Sequence, residues 1–160
     1  MIYLATYYGS SRGIARLTGA AIRWVTRSRW SHCEIALGNP LEGPVTCISS
    51  SALDWVRAKT MQLDPSRWAI IPLDDISEAN ALVALQAYKG QGYDWLGAFR
   101  FAVPLLVRQQ HPRRWFCSEL CALIMGLQDP WRFSPADLFV IAKRIEDSKW
   151  VQVGRGRKGQ

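Results

Sequence analysis

The first third of the chain alternates between an extended and a helical pattern of apolar residues. Residues 2–8 are rich in aromatic and branched side chains and end at Gly9-Ser10-Ser11, which predicts a strand, a turn and a helix N-cap. Residues 12–27 follow the helical period of about 100° per residue. The apolar face is predicted to pack on the core and consists of Ile14, Leu17, Ala21, Trp24 and Val25. The opposite face is basic and is predicted to be solvated or to contact an anionic surface; it consists of Arg12, Arg16, Arg23 and Arg27.

Residues 30–37 alternate as a strand does, with successive side chains on opposite faces. The side chains predicted to face the core are those of Ser31, Cys33, Ile35 and Leu37. The side chains predicted to face away from it are those of Trp30, His32, Glu34 and Ala36. The Gly- and Pro-containing segment 38–44 predicts a hairpin loop, and residues 45–51 predict the returning strand. This hairpin would place the serines of the second strand near His32.

Later segments predict more strands and then helices. In chain order, the pattern indicates a segment that leans toward strand (53–63), a strand (67–73), helices (78–89, 93–103, 117–127 and one opening at 134–139) and a last strand (150–153). This order favours an α+β fold, with an antiparallel sheet packed against helices. We predict a single domain over residues 1–153, followed by a basic disordered tail over residues 154–160.

Composition and charge narrow the classes of partner. With 160 residues, 49% of them hydrophobic, the chain can bury the core of one domain. No window reaches the ~18 apolar residues of a membrane span, so no transmembrane segment is predicted. The N-terminus lacks a basic leader followed by an apolar run, so we expect a cytoplasmic or phage-associated protein. The net charge of +7 favours an anionic partner such as a nucleic acid, a lipid headgroup or an acidic cell-wall polymer.

The cysteines and histidines are the candidate chemical groups. The four cysteines, Cys33, Cys47, Cys117 and Cys121, are too sparse for a disulfide framework and are predicted to be reduced thiols. Cys117 opens a predicted helix, where unpaired N–H groups and the helix dipole stabilise a thiolate. The alternative interpretation is a core cysteine, because Cys121 and Ile124 continue its helix face.

A catalytic cysteine requires a histidine that forms an ion pair and later protonates the leaving group. The chain has two histidines. His32 is the better candidate, since a strand fixes the direction of its side chain. It could instead be a structural histidine bonded to a backbone carbonyl. His111 lies in a basic loop and is interpreted as a solvated residue.

Four ordered sequence motifs resemble the circularly permuted NlpC/P60 family of papain-like cysteine hydrolases. They are SHCEIAL (31–37), DWVRAK (54–59), YDWLG (93–97) and FCSELC (116–121). The resemblance implies a small sheet packed against the helix of Cys117, with Cys117 as nucleophile and His32 as general base and acid. It also implies an oxyanion hole that uses the Cys117 N–H. The implied activity is that of a cysteine peptidase or amidase, most often acting on cell-wall peptides, although relatives include acyl-transferring and lipid-directed enzymes.

The resemblance also suggests which residues orient His32 and contact substrate. The orienting position aligns with Ser49, or with Ser50 if the register slips. Glu34 is the third candidate, but same-face neighbours on a strand start about 6.6 Å apart, so a direct hydrogen bond would require bending. Tyr93, Ser31 and Trp115 are predicted substrate contacts, with packing in the core as the alternative for Tyr93 and Trp115.

Other functions compete with hydrolysis. A metal site could draw on His32, Cys33, Cys47, Cys117 and Cys121, but the short cysteine spacing of structural zinc sites is missing, so we expect no metal and no cofactor. A nucleic-acid-binding module would use the arginines of residues 12–27 with Arg108, Arg113 and Arg114, but no recognised nucleic-acid signature accompanies them. A third alternative retains the fold as a non-catalytic basic binding module.

Overall fold

The computed structural model describes residues 1–9, 14–99 and 110–156. The elements in chain order are β1 (Ile2–Tyr7), α1 (Ile14–Thr26), β2 (His32–Leu37), β3 (Val45–Ser51), β4 (Trp55–Met61), β5 (Trp68–Pro72), α2 (Glu78–Tyr88), β6 (Gly92–Tyr93), α3 (Trp95–Phe99), β7 (Arg114–Trp115), α4 (Cys117–Ile124), a 3₁₀ turn (Pro130–Arg132) and α5 (Pro135–Gly156). The predicted α+β class is confirmed.

The main sheet has five antiparallel strands in the order β4-β3-β2-β1-β5. The predicted hairpin of β2 and β3 forms, with Ile35 opposite Ile48. A second, two-stranded parallel sheet joins β6 to β7 and leads directly into α4. Strand β2 therefore lies in the middle of the main sheet, where its backbone is fixed from both sides.

Both faces of the central strands are buried. On one face, Cys33, Ile35 and Ile48 pack in the main core cluster with residues of α4. Cys33 and Ile35 belong to the face of β2 that was predicted to face the core. The opposite face holds a second cluster that includes Ala36 and the ring of Trp68. A side chain on this second face, such as Glu34, is therefore removed from water as well.

The predicted orientation of α1 is wrong. Leu17 and Trp24, which were expected in the core, are 72% and 79% exposed, whereas Ile22 is buried. The reason is a close approach of α1 to the chain before β2: a Cβ on Gly19 would lie 3.4 Å from Cβ of Ser31. Arg23, expected in solvent, turns inward and donates to the Gly9 carbonyl and to Ser31 Oγ. Arg12 and the predicted cap at residues 10–11 lie outside the described residues.

Two later predictions also change. The helix expected over residues 93–103 begins at Trp95, because Tyr93 belongs to β6, and residues 100–103 lie outside the described residues. The strand expected over residues 150–153 is wrong. No glycine or proline interrupts the chain from Ala136 to Val153, so helix propagation continues and α5 reaches Gly156, inside the predicted tail. Residues 157–160 lie outside the described residues. No helix among the described ranges combines the length and apolarity that crossing a membrane requires.

Candidate active site

Strand β2 and helix α4 bring His32 and Cys117 together. Cys117 is the first residue of α4, and His32 is the first residue of β2. Each of these two groups shifts the pKa of the other through its charge and through side-chain hydrogen bonding. Cys117 is 2% exposed, and the side chain of His32 is 24% exposed. The thiol and the imidazole are therefore close enough to influence each other's protonation, and the imidazole is the more exposed of the two.

The surroundings of Cys117 favour its thiolate. A hydrogen bond from the Cys33 thiol is the largest influence and lowers the pKa of Cys117; burial opposes it, and the positive charge of His32 lowers the pKa further. The net result is a pKa well below the usual range of a thiol. The position of Cys117 in the first turn of α4 acts in the same direction, because the first N–H groups of a helix have no partner within it.

The other cysteines do not share this environment. Burial raises the pKa of Cys33 well above its ordinary value, and the hydrogen bond that it gives to Cys117 adds to the rise. Burial likewise raises the pKa of Cys47 to about 12. All four cysteines are free thiols. Cys33 is thus a neutral donor beside Cys117, and the sequence provided no signal for this role beyond its place on the core face of β2.

A buried ion pair supports His32. His32 Nε2 lies 3.1 Å from Glu34 Oε1, which leaves Nδ1 as the ring nitrogen available to Cys117. Arg57 donates two hydrogen bonds to the same carboxylate, from Nη2 to Oε1 at 2.9 Å and from Nη1 to Oε2 at 3.2 Å. Among the three candidates, Glu34 is therefore the one hydrogen-bonded to His32, because its long side chain bends across the gap between same-face positions.

Charges set the protonation of this group. Burial raises the pKa of Glu34, but hydrogen bonding to His32 and the charges of His32 and Arg57 outweigh it and lower the pKa to about 2. Burial lowers the pKa of His32, but the charge of Cys117 and the hydrogen bonds with Cys117 and Glu34 outweigh it and raise the pKa to about 10. Near neutral pH these pKa shifts therefore favour a Cys117 thiolate, a His32 imidazolium, a Glu34 carboxylate and an Arg57 guanidinium, so that negative and positive groups alternate across the site.

The serines predicted as alternatives to Glu34 have other roles. Ser49 Oγ donates to the Cys33 carbonyl at 2.7 Å, and its predicted role in orienting His32 stays a prediction. Ser50 Oγ donates to the Trp115 carbonyl at 2.7 Å, and the Asp94 N–H donates to the same oxygen at 3.1 Å. These two bonds hold the backbone two residues before Cys117.

Trp115 packs in the core, which is the alternative that the sequence analysis gave to a substrate contact. Its ring is 3% exposed and packs against Tyr88, and its indole N–H donates to Gln91 Oε1. The ring is drawn into the core because β7 places it opposite Tyr93 in the parallel pair with β6. Trp115 therefore positions Cys117 through its backbone and its packing.

The YDWLG segment has a structural explanation. Asp94 Oδ1 accepts a hydrogen bond from the Gly97 N–H at 2.9 Å, which closes the first turn of α3. A Cβ on residue 97 would lie 2.3 Å from Asp94 Oδ2 and 2.9 Å from the ring of Phe116. Only glycine fits there without displacing Phe116, the residue that precedes Cys117.

A cavity of about 420 Å³ adjoins the site. Ser31, His32, Glu34 and Tyr93 line it, so the predictions of Ser31 and Tyr93 as substrate contacts are compatible with their positions. The charge of Cys117 raises the pKa of Tyr93, second to burial, so the phenol lies within the electrostatic field of the sulfur. Helix α1 and strands β4 and β5 supply other walls, with Thr18, Gly19, Ile22, Lys59, Met61 and Trp68.

Arg57 is a residue of the candidate site that the sequence analysis did not identify. Its signal was present in DWVRAK, where Arg57 lies on the strand opposite Ser49, and β3 lies between this strand and β2. An arginine two strands away from an acidic residue becomes a partner only when the register is known. His111 is exposed, and its Nδ1 accepts from the Arg113 N–H.

Within the described part of the chain, no group of three or more histidine, cysteine or acidic side chains is arranged to hold a metal ion. Of the five residues of the competing metal-site hypothesis, Cys47 lies in the second cluster, apart from the main core cluster of Cys33, Cys117 and Cys121. Comparison of the sequence with models of known protein families and with curated proteins gave no match in either case.

Proposed function

We propose that this chain is a cysteine hydrolase that cleaves an amide or peptide bond through an acyl-enzyme on Cys117. The observation that carries the proposal is the contact between the Cys117 thiol and His32, with Glu34 and Arg57 behind the ring. A buried thiol in an ordinary core has a raised pKa, as Cys47 does, whereas the pKa of Cys117 is lowered. Activated nucleophiles are commonly arranged in this way, with a base that a third group orients.

The reaction follows from the charges of the resting site. The Cys117 thiolate attacks the carbonyl carbon, and the electron pair of the C=O bond moves to oxygen. The Cys117 N–H, unused inside α4 because it lies in the first turn, is available to that oxygen. His32 gives its proton to the departing amine, which leaves a thioester. Neutral His32 then takes a proton from water, the resulting hydroxide displaces Cys117, and the acid and the thiolate are released.

Glu34 acts through His32. Its carboxylate holds Nε2 and stabilises the imidazolium, which keeps the ring turned toward Cys117. Arg57 prevents Glu34 from being an unpaired buried charge. We also propose that the chain is a member of the circularly permuted NlpC/P60 family, on the four motifs quoted above and on the sheet packed against the Cys117 helix.

The first test measures alkylation of Cys117 by iodoacetamide, followed residue by residue by mass spectrometry. Free cysteine reacts about a hundredfold faster at about pH 8 than at about pH 6, because its thiolate fraction rises. We expect the Cys117 rate to be nearly flat over that range and to regain a steep pH dependence in His32→Ala. A steep wild-type profile like that of free cysteine would contradict the proposal.

The second test looks for the acyl-enzyme. Wild-type protein is mixed with a series of p-nitrophenyl esters and short peptide amides, and its intact mass is recorded during turnover. We expect an acyl group on Cys117 and release of the leaving group, both absent from Cys117→Ala and both present in Cys47→Ala, whose lost thiol lies in the second cluster. A protein that retains a flat alkylation profile but never forms an adduct would indicate a binding module on the same fold.

A further inference from the structure

Helix α1 exposes an apolar stripe that the fold does not use. Leu17 and Trp24 are seven residues apart, or nearly two full turns, so they lie on the same side of the helix, and both are more than 70% exposed. Ala20 is exposed between them. The opposite side of the helix carries Gly19 and Ile22 and faces the cavity.

Basic residues accompany this stripe. Arg16, next to Leu17 on α1, and Arg27, directly after the last residue of the helix, are both exposed. The first 33 residues of the chain contain five arginines and no aspartate or glutamate. The surface around the stripe therefore has a positive charge that no acidic residue of the same segment neutralises.

The geometry points to α1 as a peripheral docking helix for an anionic lipid bilayer, with Leu17 and Trp24 inserted among the lipids and Arg16 and Arg27 on the headgroup phosphates. An interfacial helix has this division, with tryptophan and leucine on one face and arginine or lysine beside it. The stripe favours a bilayer over a nucleic acid, since leucine and alanine gain nothing from phosphates alone. A second copy of the chain fits less well, because it would bring two positive surfaces together.

Docking through α1 has a consequence for the cavity. Thr18, Gly19 and Ile22 line the cavity from the same helix that would contact the bilayer. A helix with its side chains is about 10 Å across, so the cavity wall would lie about that far from the lipid surface. The docking itself does not depend on the proposed hydrolysis, and Cys117→Ala is expected to bind as the wild type does.

The test is co-sedimentation with vesicles made of equal parts phosphatidylcholine and phosphatidylglycerol, or of phosphatidylcholine alone. We expect binding to the anionic vesicles only, weakened by salt. Arg16→Gln with Arg27→Gln is expected to weaken binding about twentyfold, since each arginine near such a surface contributes about fivefold. Leu17→Ser with Trp24→Ser is expected to weaken it by roughly tenfold or more.

Matched controls come from the rest of the surface. Leu82→Ser with Val83→Ser removes two exposed apolar side chains of α2, and Lys89→Gln with Arg144→Gln removes two exposed charges. Both double variants are expected to bind anionic vesicles as the wild type does. Equal binding of all variants would overturn the proposal. So would a wild-type dimer that ignores vesicles and dissociates when Leu17 and Trp24 are replaced, since the stripe would then be an interface between copies of this chain.

Discussion

Replacing Cys117 by alanine tests the ion pair at the centre of the proposed site. The pKa of His32 is raised from 6.5 to about 10, although burial alone lowers it, and the charge of Cys117 is the first of the influences that raise it. Each pKa unit corresponds to about 1.4 kcal/mol, so the wild-type site favours the imidazolium by roughly 5 kcal/mol. Without the sulfur, the remaining support comes from Glu34, and we expect the pKa of His32 to fall by about 2 or more.

The assay is an NMR titration of the histidine ring protons. The chain has two histidines, and the signal of His32 is assigned as the one that disappears in His32→Ala. Cys117→Ala removes one sulfur from a packed cluster, and the amide spectrum of the variant establishes that it folds. Cys121→Ala, from the same cluster and helix, is the matched control and is expected to leave the high titration of His32 in place. A His32 signal that titrates identically in wild type and Cys117→Ala would refute the ion pair.

Three further changes probe the groups around the pair. Glu34→Gln leaves Arg57 buried without its carboxylate and should lower the free energy of unfolding near neutral pH by about 3 kcal/mol, measured in urea. Because the folded pKa of Glu34 is about 2, below its ordinary 4.5, the wild-type advantage is full above about pH 4.5 and is lost as pH falls toward 2. Cys33→Ala removes the donor to Cys117 and should slow Cys117 alkylation at about pH 6 by about tenfold. Gly97→Ala forces a Cβ against Asp94 and should cost about 1–3 kcal/mol of stability by thermal unfolding.

Each of these changes has a control in the same chain. Glu42→Gln replaces an exposed carboxylate, and it should leave acid stability unchanged. Cys47→Ala removes a thiol from the second cluster and should not change the alkylation of Cys117. Gly92→Ala adds a Cβ that meets its nearest neighbour at an ordinary 3.8 Å. If Gly97→Ala is no less stable than Gly92→Ala, the hypothesis that residue 97 must be glycine to avoid a steric clash with Asp94 and Phe116 is wrong.

The elements of the fold were largely predictable from local pattern, and their packing was not. Strand β2 and its hairpin partner follow from alternation and turn residues, and the start of α5 follows from Ser134 and Pro135. The buried face of α1 could not be predicted, since burial of Gly19 against Ser31 depends on how closely two distant segments approach. The prediction of a strand at 150–153 was wrong because helix α5 continues through these four residues.

The candidate site divides in the same way. A cysteine at a helix start and a histidine at a strand start are visible in the sequence, because each depends on its own segment. The bend of the Glu34 side chain decided its contact with His32, and strand register set Arg57 beside Glu34. No spacing along the chain encodes that contact.

The amino-acid order by itself determined most of the helices and strands, and which thiol stands at a helix N-terminus, because backbone hydrogen bonding and side-chain period are properties of neighbouring residues. The tertiary structure alone decided that Cys33 donates to Cys117, that Glu34 and Arg57 support His32, and that α1 turns Leu17 and Trp24 outward. Apart from the bond between His32 and Glu34, which share β2, the contacts join residues from separate strands and helices. They arise only when the strands take their register and the helices choose a packing face, which depends on the shape of the whole core.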